Sequence, residues 1–295
     1  MLGGGPTRRR RIAWSNAEHP THQGCTKPMM PRRKGLLCGL TLSFVRGMHA
    51  TVRLFVPPQP LAASQLISVV GTQRHYLANV MRVRQGAEVL VFNGRDGEWL
   101  AAVDAIDKRR CELRVVRCTR PQPAPAPAPV LLFAVLKSAR LPTLVEKACE
   151  LGVGELRPVL TERCAARKLN VPRLQAIAVE AAEQSRRLTV PEIREPLSLQ
   201  RALDMWGGDR PLYLCDERGG APPLSSKLAV VASAEEAARA DGPGPGVLIG
   251  PEGGFSPEEF EALAKAPAVE PVSLGPNTLR AETAALAACA VLACR

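Results

Sequence analysis

Between Arg53 and about Arg120 the apolar residues come in short runs, several alternating with polar ones. Residues 53–56 (RLFV), 88–92 (EVLVF), 97–106 (GEWLAAVDAI) and 111–118 (CELRVVRC) have the length and near-twofold period of strands. Asn93-Gly94-Arg95-Asp96-Gly97 separates the second run from the third. It is hairpin-turn chemistry, since Gly, Asn and Asp tolerate the left-handed backbone such turns require. One short helix is expected over 73–82. Closely spaced strands joined by tight turns predict a small barrel or sandwich.

Pro121 to Pro129 has proline at every second position. A run so poor in backbone donors favours extended polyproline II and reads as a semi-rigid linker over 121–129. Beyond it the pattern changes. Strands are expected over 130–136, 155–160, 211–215, 246–250 and 269–274. Helices are expected over 141–152, 171–187, 257–265 and from about 280 to the end. That alternation predicts an α/β domain over 130–295 with a mostly parallel sheet.

Charge sharpens the division. The chain of 295 residues carries a formal net charge of +11, which points to a polyanionic partner. Residues 1–47 contribute +8, residues 48–120 contribute +5 and residues 121–295 contribute −2. The nine cysteines include no C-x-x-C pair. Several, such as Cys149 and Cys289, lie in apolar runs as small core residues, which suits a reducing, cytoplasmic setting without a metal site. No stretch approaches the roughly 18–20 continuous apolar residues of a membrane span.

Residues 1–47 differ from all that follows, with Arg8-Arg9-Arg10-Arg11 and one apolar run from Leu36 to Val45. They read as an Arg-rich targeting segment or as a translation start placed ahead of Met48. Lack of amphipathic periodicity and of a small-residue cleavage site favours the second reading, and disorder is expected there.

Two strand ends carry unusual loops. Gly250-Pro251-Glu252-Gly253-Gly254-Phe255-Ser256-Pro257-Glu258-Glu259 packs three glycines into five residues, with a left-handed backbone expected at Gly253. Ser256, Pro257 and Glu259 mark the next helix start by N-cap, N1 proline and capping box. The loop matches neither G-x-x-x-x-G-K-[ST] nor G-x-G-x-x-G. Leu274-Gly275-Pro276-Asn277-Thr278-Leu279-Arg280-Ala281-Glu282-Thr283-Ala284 again ends a strand in Gly-Pro and enters a helix. Ligands in open α/β sheets bind at such carboxyl ends.

These two segments resemble the signature loops of the SPOUT methyltransferases. They are most similar to the RsmE-type enzymes, which methylate uridine N3 in 16S ribosomal RNA. The likeness extends over nearly all of 49–295. It includes Arg53-Leu54-Phe55-Val56, His75 with Val80-Met81-Arg82, Lys137, Glu146 to Val153, Thr161-Glu162-Arg163, and Glu183-Gln184 with Arg187 and Val190-Pro191. Met81 stands where the family more often has leucine, Arg186 replaces a usually small residue, and nothing like residues 1–47 belongs to the pattern.

The resemblance implies a trefoil-knotted α/β domain with a parallel sheet, preceded by a PUA-like β-barrel over 48–120 that binds RNA. It implies S-adenosyl-L-methionine as cofactor, held by Leu214, Cys215, Gly250, Pro251, Glu252, Gly253, Leu274, Gly275, Asn277, Leu279 and Arg280. It implies a homodimer that acts on 16S rRNA or the small ribosomal subunit. RNA contacts fall on Arg53, His75, Arg82, Lys137, Arg163, Gln184 and Arg187. The uracil N3 proton must leave as the nitrogen takes a methyl group. A cation such as Arg280 or Arg187 would stabilise charge on the imide oxygens, and Glu252 or Glu282 is a candidate proton acceptor. Two alternatives stay open: a SPOUT methyltransferase for another RNA position, and a non-catalytic RNA-binding dimer.

Overall fold

The computed structural model describes residues 52–56, 59–231 and 244–293; the expectations for residues 1–47 lie outside them. The front of the chain forms a five-stranded sheet from β1 (Arg53–Phe55), β2 (Leu66–Val70), β3 (Glu88–Phe92), β4 (Glu98–Ile106) and β5 (Arg110–Arg120), in the order β1-β3-β4-β5-β2. Only the β1–β3 pairing is parallel. Leu54, Ile67, Val91, Val103 and Leu113, one from each strand, share one core, so the sheet curls round it. Three register shifts between β4 and β5 supply the bulges that bend these long strands.

The β3–β4 turn forms where the Asn-Gly chemistry placed it. Asn93 Oδ1 accepts from the Arg95 and Asp96 amides at 3.0 and 2.8 Å, and Asp96 Oδ2 accepts from the Leu61 amide at 2.9 Å. Gly97 adopts φ +85°, and a Cβ there would press on the backbone of Arg120 and Gln122, so glycine is required twice over. The helix expected over 73–82 is instead α1 (Gly71–His75), continued by a π-helical turn, Tyr76–Val80. The amide of Met81 reaches back five residues to the Tyr76 carbonyl.

After the proline run a parallel sheet assembles from β6 (Val130–Ala134), β7 (Glu155–Leu160), β8 (Glu192–Ile193), β9 (Leu197–Ser198), β10 (Leu212–Cys215), β11 (Gly246–Ile249) and β12 (Val269–Val272). The order is β12-β10-β11-β6-β7-β8, with β9 also on β7. Every residue of β6 is buried, as a strand covered on both faces requires. The helices are α2 (Leu141–Glu150), α3 (Val171–Gln184), α4 (Leu199–Trp206), α5 (Leu224–Val231), α6 (Pro257–Lys265) and α7 (Ala281–Ala293).

Their stripes explain their placement. Leu141, Leu144, Val145, Ala148 and Cys149 bury one face of α2, and Ala281, Ala285, Ala288, Cys289 and Leu292 one face of α7. Apart from Cys149, which packs with Phe92, Ala181, Ala182 and Leu188, both stripes enter the core beneath the sheet with Phe133, Val247 and Ile249. The helix expected over 171–187 stops at Gln184, because Arg186 turns left-handed at φ +59°.

Candidate functional site

All strands of the second sheet run parallel, so the loops after β6, β10, β11 and β12 emerge at one edge. Two of these loops are stitched together. The Asp216 amide donates to the Val272 carbonyl at 2.9 Å, Ser273 to Pro222 at 2.9 Å, and Leu224 to Ser273 at 3.0 Å. Between them lies a cleft of about 410 Å3, walled by Cys215, Asp216, Glu217, Gly219 and Gly220 on one side and by Ser273 to Leu279 on the other, with Ala284 of α7 behind. That volume is in the range of small-molecule sites.

Cys215, Leu274, Gly275, Asn277 and Leu279 therefore line one cavity, and Leu214 is the buried residue preceding Cys215 on β10. Gly275 has φ +121°, a backbone that favours glycine, and nothing stands where its Cβ would point. Burial pushes the Cys215 thiol up to about 12, so it stays protonated at neutral pH and offers an apolar wall. Asp216 to Gly220 carry a signal not used in the sequence reading: a third strand end followed by Gly-Gly.

Gly250, Pro251, Glu252 and Gly253 do not wall this cleft. Their loop is pinned from another direction. Arg163 Nη1 donates to the Gly253 carbonyl at 3.1 Å, and the Glu162 amide to Glu259 Oε1 at 2.8 Å. The left-handed glycine is Gly254, at φ +68°, and not Gly253; the turn closes through the Gly254 amide on the Pro251 carbonyl. The capping box of α6 forms as read, with Ser256 donating to Glu259 Oε2 at 2.9 Å and Glu259 to Ser256 Oγ at 3.3 Å.

Glu252 and Glu282 are brought together by a residue without a motif. Arg140 Nη1 donates to Glu282 Oε2 at 2.9 Å and lies 3.5 Å from Glu252 Oε1. Arg280 is exposed just before α7, adjoining the cleft wall at Leu279.

Arg187 and Arg53 have other partners than the expected ones. Arg187 Nη1 donates to the Cys149 and Val153 carbonyls at 2.6 and 2.9 Å, so its inward-turned guanidinium caps the end of α2 rather than facing a substrate. Arg53 donates to Glu98 Oε2 at 2.6 Å and to the carbonyls of Ala182, Glu183 and Arg187 at 2.9, 3.0 and 2.7 Å. It also lies 4.2 Å from the Phe92 ring centroid. Buried in this way, it fastens β1 to the end of α3 and is not presented to RNA. Gln184 is exposed in a second cleft between β1, α1 and α3, with Phe55 and Tyr76. His75, Arg82, Lys137 and Arg163 are exposed.

No helix among the described residues is long and apolar enough to cross a membrane. Among the same residues there is no group of three or more His, Cys, Asp or Glu that could hold a metal ion.

Comparison with known proteins agrees with this geometry. An RNA methyltransferase domain model matches residues 124–293, and an RNA methyltransferase PUA domain model matches residues 71–116. The ribosomal RNA small subunit methyltransferase E of Rickettsia conorii is 32% identical over 216 residues, covering 73% of this chain and 84% of that protein. Its Synechocystis counterpart is 32% identical over 236 residues, covering 79% and 74%. A Legionella pneumophila protein solved in complex with the bound cofactor SAM superposes with a TM-score of 0.71 at 27% identity, covering 82% of this chain and 96% of that one. The methyltransferase E of Neisseria gonorrhoeae, bound to S-adenosyl methionine, gives 0.69 at 27% identity over the same shares. With a family model over more than half its length and a relative this similar across most of both chains, the chain belongs to the RNA methyltransferases, in the ribosomal RNA small subunit methyltransferase E family.

Proposed function

We propose that this protein transfers the methyl group of S-adenosylmethionine to N3 of a uridine in 16S ribosomal RNA. The observation that carries the reading is the cleft at the ends of β10 and β12, with Arg280 beside it. Its walls combine loop backbone with the apolar Cys215, Leu274 and Leu279, a mixture suited to an adenine ring joined to a polar amino-acid end. When bound there, S-adenosylmethionine supplies an already activated methyl group. The protein is left to place the base, hold charge and take a proton. Arg280 offers the cation for the imide oxygens, and Glu252 or Glu282 the acceptor for the N3 proton.

Binding of the large substrate falls to the front sheet and the exposed His75, Arg82, Lys137, Arg163 and Gln184. The +5 of residues 48–120 favours that division. A homodimer is supported by α7, whose second face (Thr283, Leu286, Ala287, Ala290) is built of small and apolar residues that are only partly covered or exposed. The strand order, with β11 inserted between β10 and β6, is consistent with a trefoil knot. A ribosomal substrate implies the cytoplasm.

The test is to incubate the protein with small subunits from cells lacking the modification and to analyse the RNA nucleosides by mass spectrometry. Formation of 3-methyluridine is the expected result. A different methylated nucleoside would point to another RNA position, and RNA binding without methylation to a non-catalytic dimer.

A further inference from the structure

We propose that Arg140 is a positioning residue that struts Glu282 and leaves Glu252 as the carboxylate that accepts the uracil N3 proton. This rests on the methyltransferase reading above and decides between two carboxylates that the sequence leaves equal.

Three segments far apart in the chain meet at Arg140. It stands at the N-cap of α2, Glu282 lies in the first turn of α7, and Glu252 lies in the loop from β11 to α6. Two carboxylates drawn to one place repel each other, and the repulsion grows where water is partly excluded. The side chains of Arg140, Glu252 and Glu282 are 27%, 30% and 20% exposed, so one shared cation does much to keep the carboxylates together. It also fixes the start of α7, and with it Arg280, against the loop that bears Glu252.

The two contacts are unequal. Glu282 is hydrogen-bonded at 2.9 Å, whereas Glu252 sits at 3.5 Å, an ion-pair distance with no hydrogen bond. Glu282 is thus the anchored member. Glu252 is the more exposed and less tightly held, and it can turn to a base without breaking a hydrogen bond to Arg140. In the step assigned to it, the N3–H bond breaks and the proton passes to the Glu252 carboxylate. The freed electron pair of N3 forms the new bond to the methyl carbon, and the carbon–sulfur pair leaves with the sulfur.

The experiment uses the full chain with Arg140→Met, Arg140→Lys, Glu282→Gln, Glu252→Gln and the Arg140→Met/Glu282→Gln double variant. Single-turnover methylation at saturating small subunit and cofactor is read beside subunit KM, cofactor affinity by calorimetry, and amide hydrogen exchange over 250–256 and 280–284. Glu252→Gln should slow the step at least ~10²-fold, the scale of a lost proton acceptor. Arg140→Met and Glu282→Gln should each slow it about tenfold to a hundredfold and hasten exchange in both segments. The double variant should be no slower than the worse single one, because both remove one strut. Arg140→Lys should recover part of the rate, since lysine carries the charge without the planar fork.

A raised subunit KM with unchanged rate in Arg140→Met would overturn the proposal by making Arg140 an RNA contact. A wild-type rate in Glu252→Gln would overturn the proton assignment, and additive losses in the double variant the strut. If Arg140→Met does not fold, Glu282→Gln and Glu252→Gln carry the same test. A wild-type protein that methylates nothing would defeat the activity reading instead, while the exchange measurement would still judge the strut.

Discussion

The Arg53 guanidinium and the Glu98 carboxylate meet at 2.6 Å with 8% and 6% of their side chains exposed. Burial pulls the Arg53 pKa down and the Glu98 contact pushes it back up, yet an arginine remains charged. The same cation serves as a C-cap for α3, supplied from another sheet. Arg53→Met should therefore cost about 3–5 kcal/mol, because it takes the nearest cation from a buried carboxylate, leaving it the Thr119 hydroxyl at 3.0 Å and Arg120 at 4.0 Å, and removes the donor from the Glu183 carbonyl. Arg53→Met/Glu98→Leu should recover part of that. Urea unfolding followed by circular dichroism of the two variants checks the order.

Asp96 sets an acid limit on the front sheet. Hydrogen bonds from Arg95, from Asn93 and from the Leu61 amide hold its carboxyl well below the usual range. A depressed folded-state pKa contributes stability that is present above the unfolded value near 3.9 and is lost as pH falls toward the folded one. Asp96→Asn should be less stable than the wild type at pH 7, and the gap should shrink on acidification below about pH 4. Urea midpoints for both proteins across that range measure it.

Gly275→Val tests the cleft. A β-branched residue at φ +121° is strained on backbone grounds alone, by about 1–3 kcal/mol, although no atom blocks its Cβ. S-adenosylmethionine affinity should fall at least about tenfold, a change of roughly 1.4 kcal/mol. The unfolding midpoint should drop only modestly. Calorimetric titration alongside thermal unfolding separates the two effects, and unchanged affinity would argue that the cofactor binds elsewhere.

Arg280→Ala should keep cofactor affinity and lose about 10²–10³ in turnover, the usual scale for one transition-state donor. Titration of the cofactor and single-turnover methylation of the same sample report on each. Loss of both together would place Arg280 in the cofactor pocket.

What could be read from the chain and what could not follow from range. The Ser256–Glu259 capping box, the Asn93–Asp96 turn and the all-apolar β6 are written in neighbouring residues, and each stands where the pattern put it. Strand β2 escaped the pattern because Leu66 and Val70 are apolar yet exposed, which erases its alternation. Helix α4 has a Ser198 N-cap and a Gly207 stop, but two turns are short for a period to show. The loops after β10 and β12 are local motifs and wall one cleft, whereas the segment around Gly250 does not. Arg140 and Arg53 have no motif at all. The partners their side chains hydrogen-bond lie 142 and 45 to 134 residues away, so only the folded chain reveals what each cation does.

The insertion of β11 between β10 and β6 also governs how the molecule is made. The centre of the parallel sheet pairs Val130–Phe133 with Gly246–Ile249, so β6 waits for a partner synthesised roughly 115 residues later, and contacts of such long range form slowly. Until then the β6 edge facing β11 is unpaired and apolar, and it can be joined by any other extended chain. During synthesis the front sheet, complete by Arg120, can fold first. The methyltransferase half is committed only once nearly the whole chain has left the ribosome. A truncation after β10 should leave a chain prone to aggregate rather than a smaller stable protein.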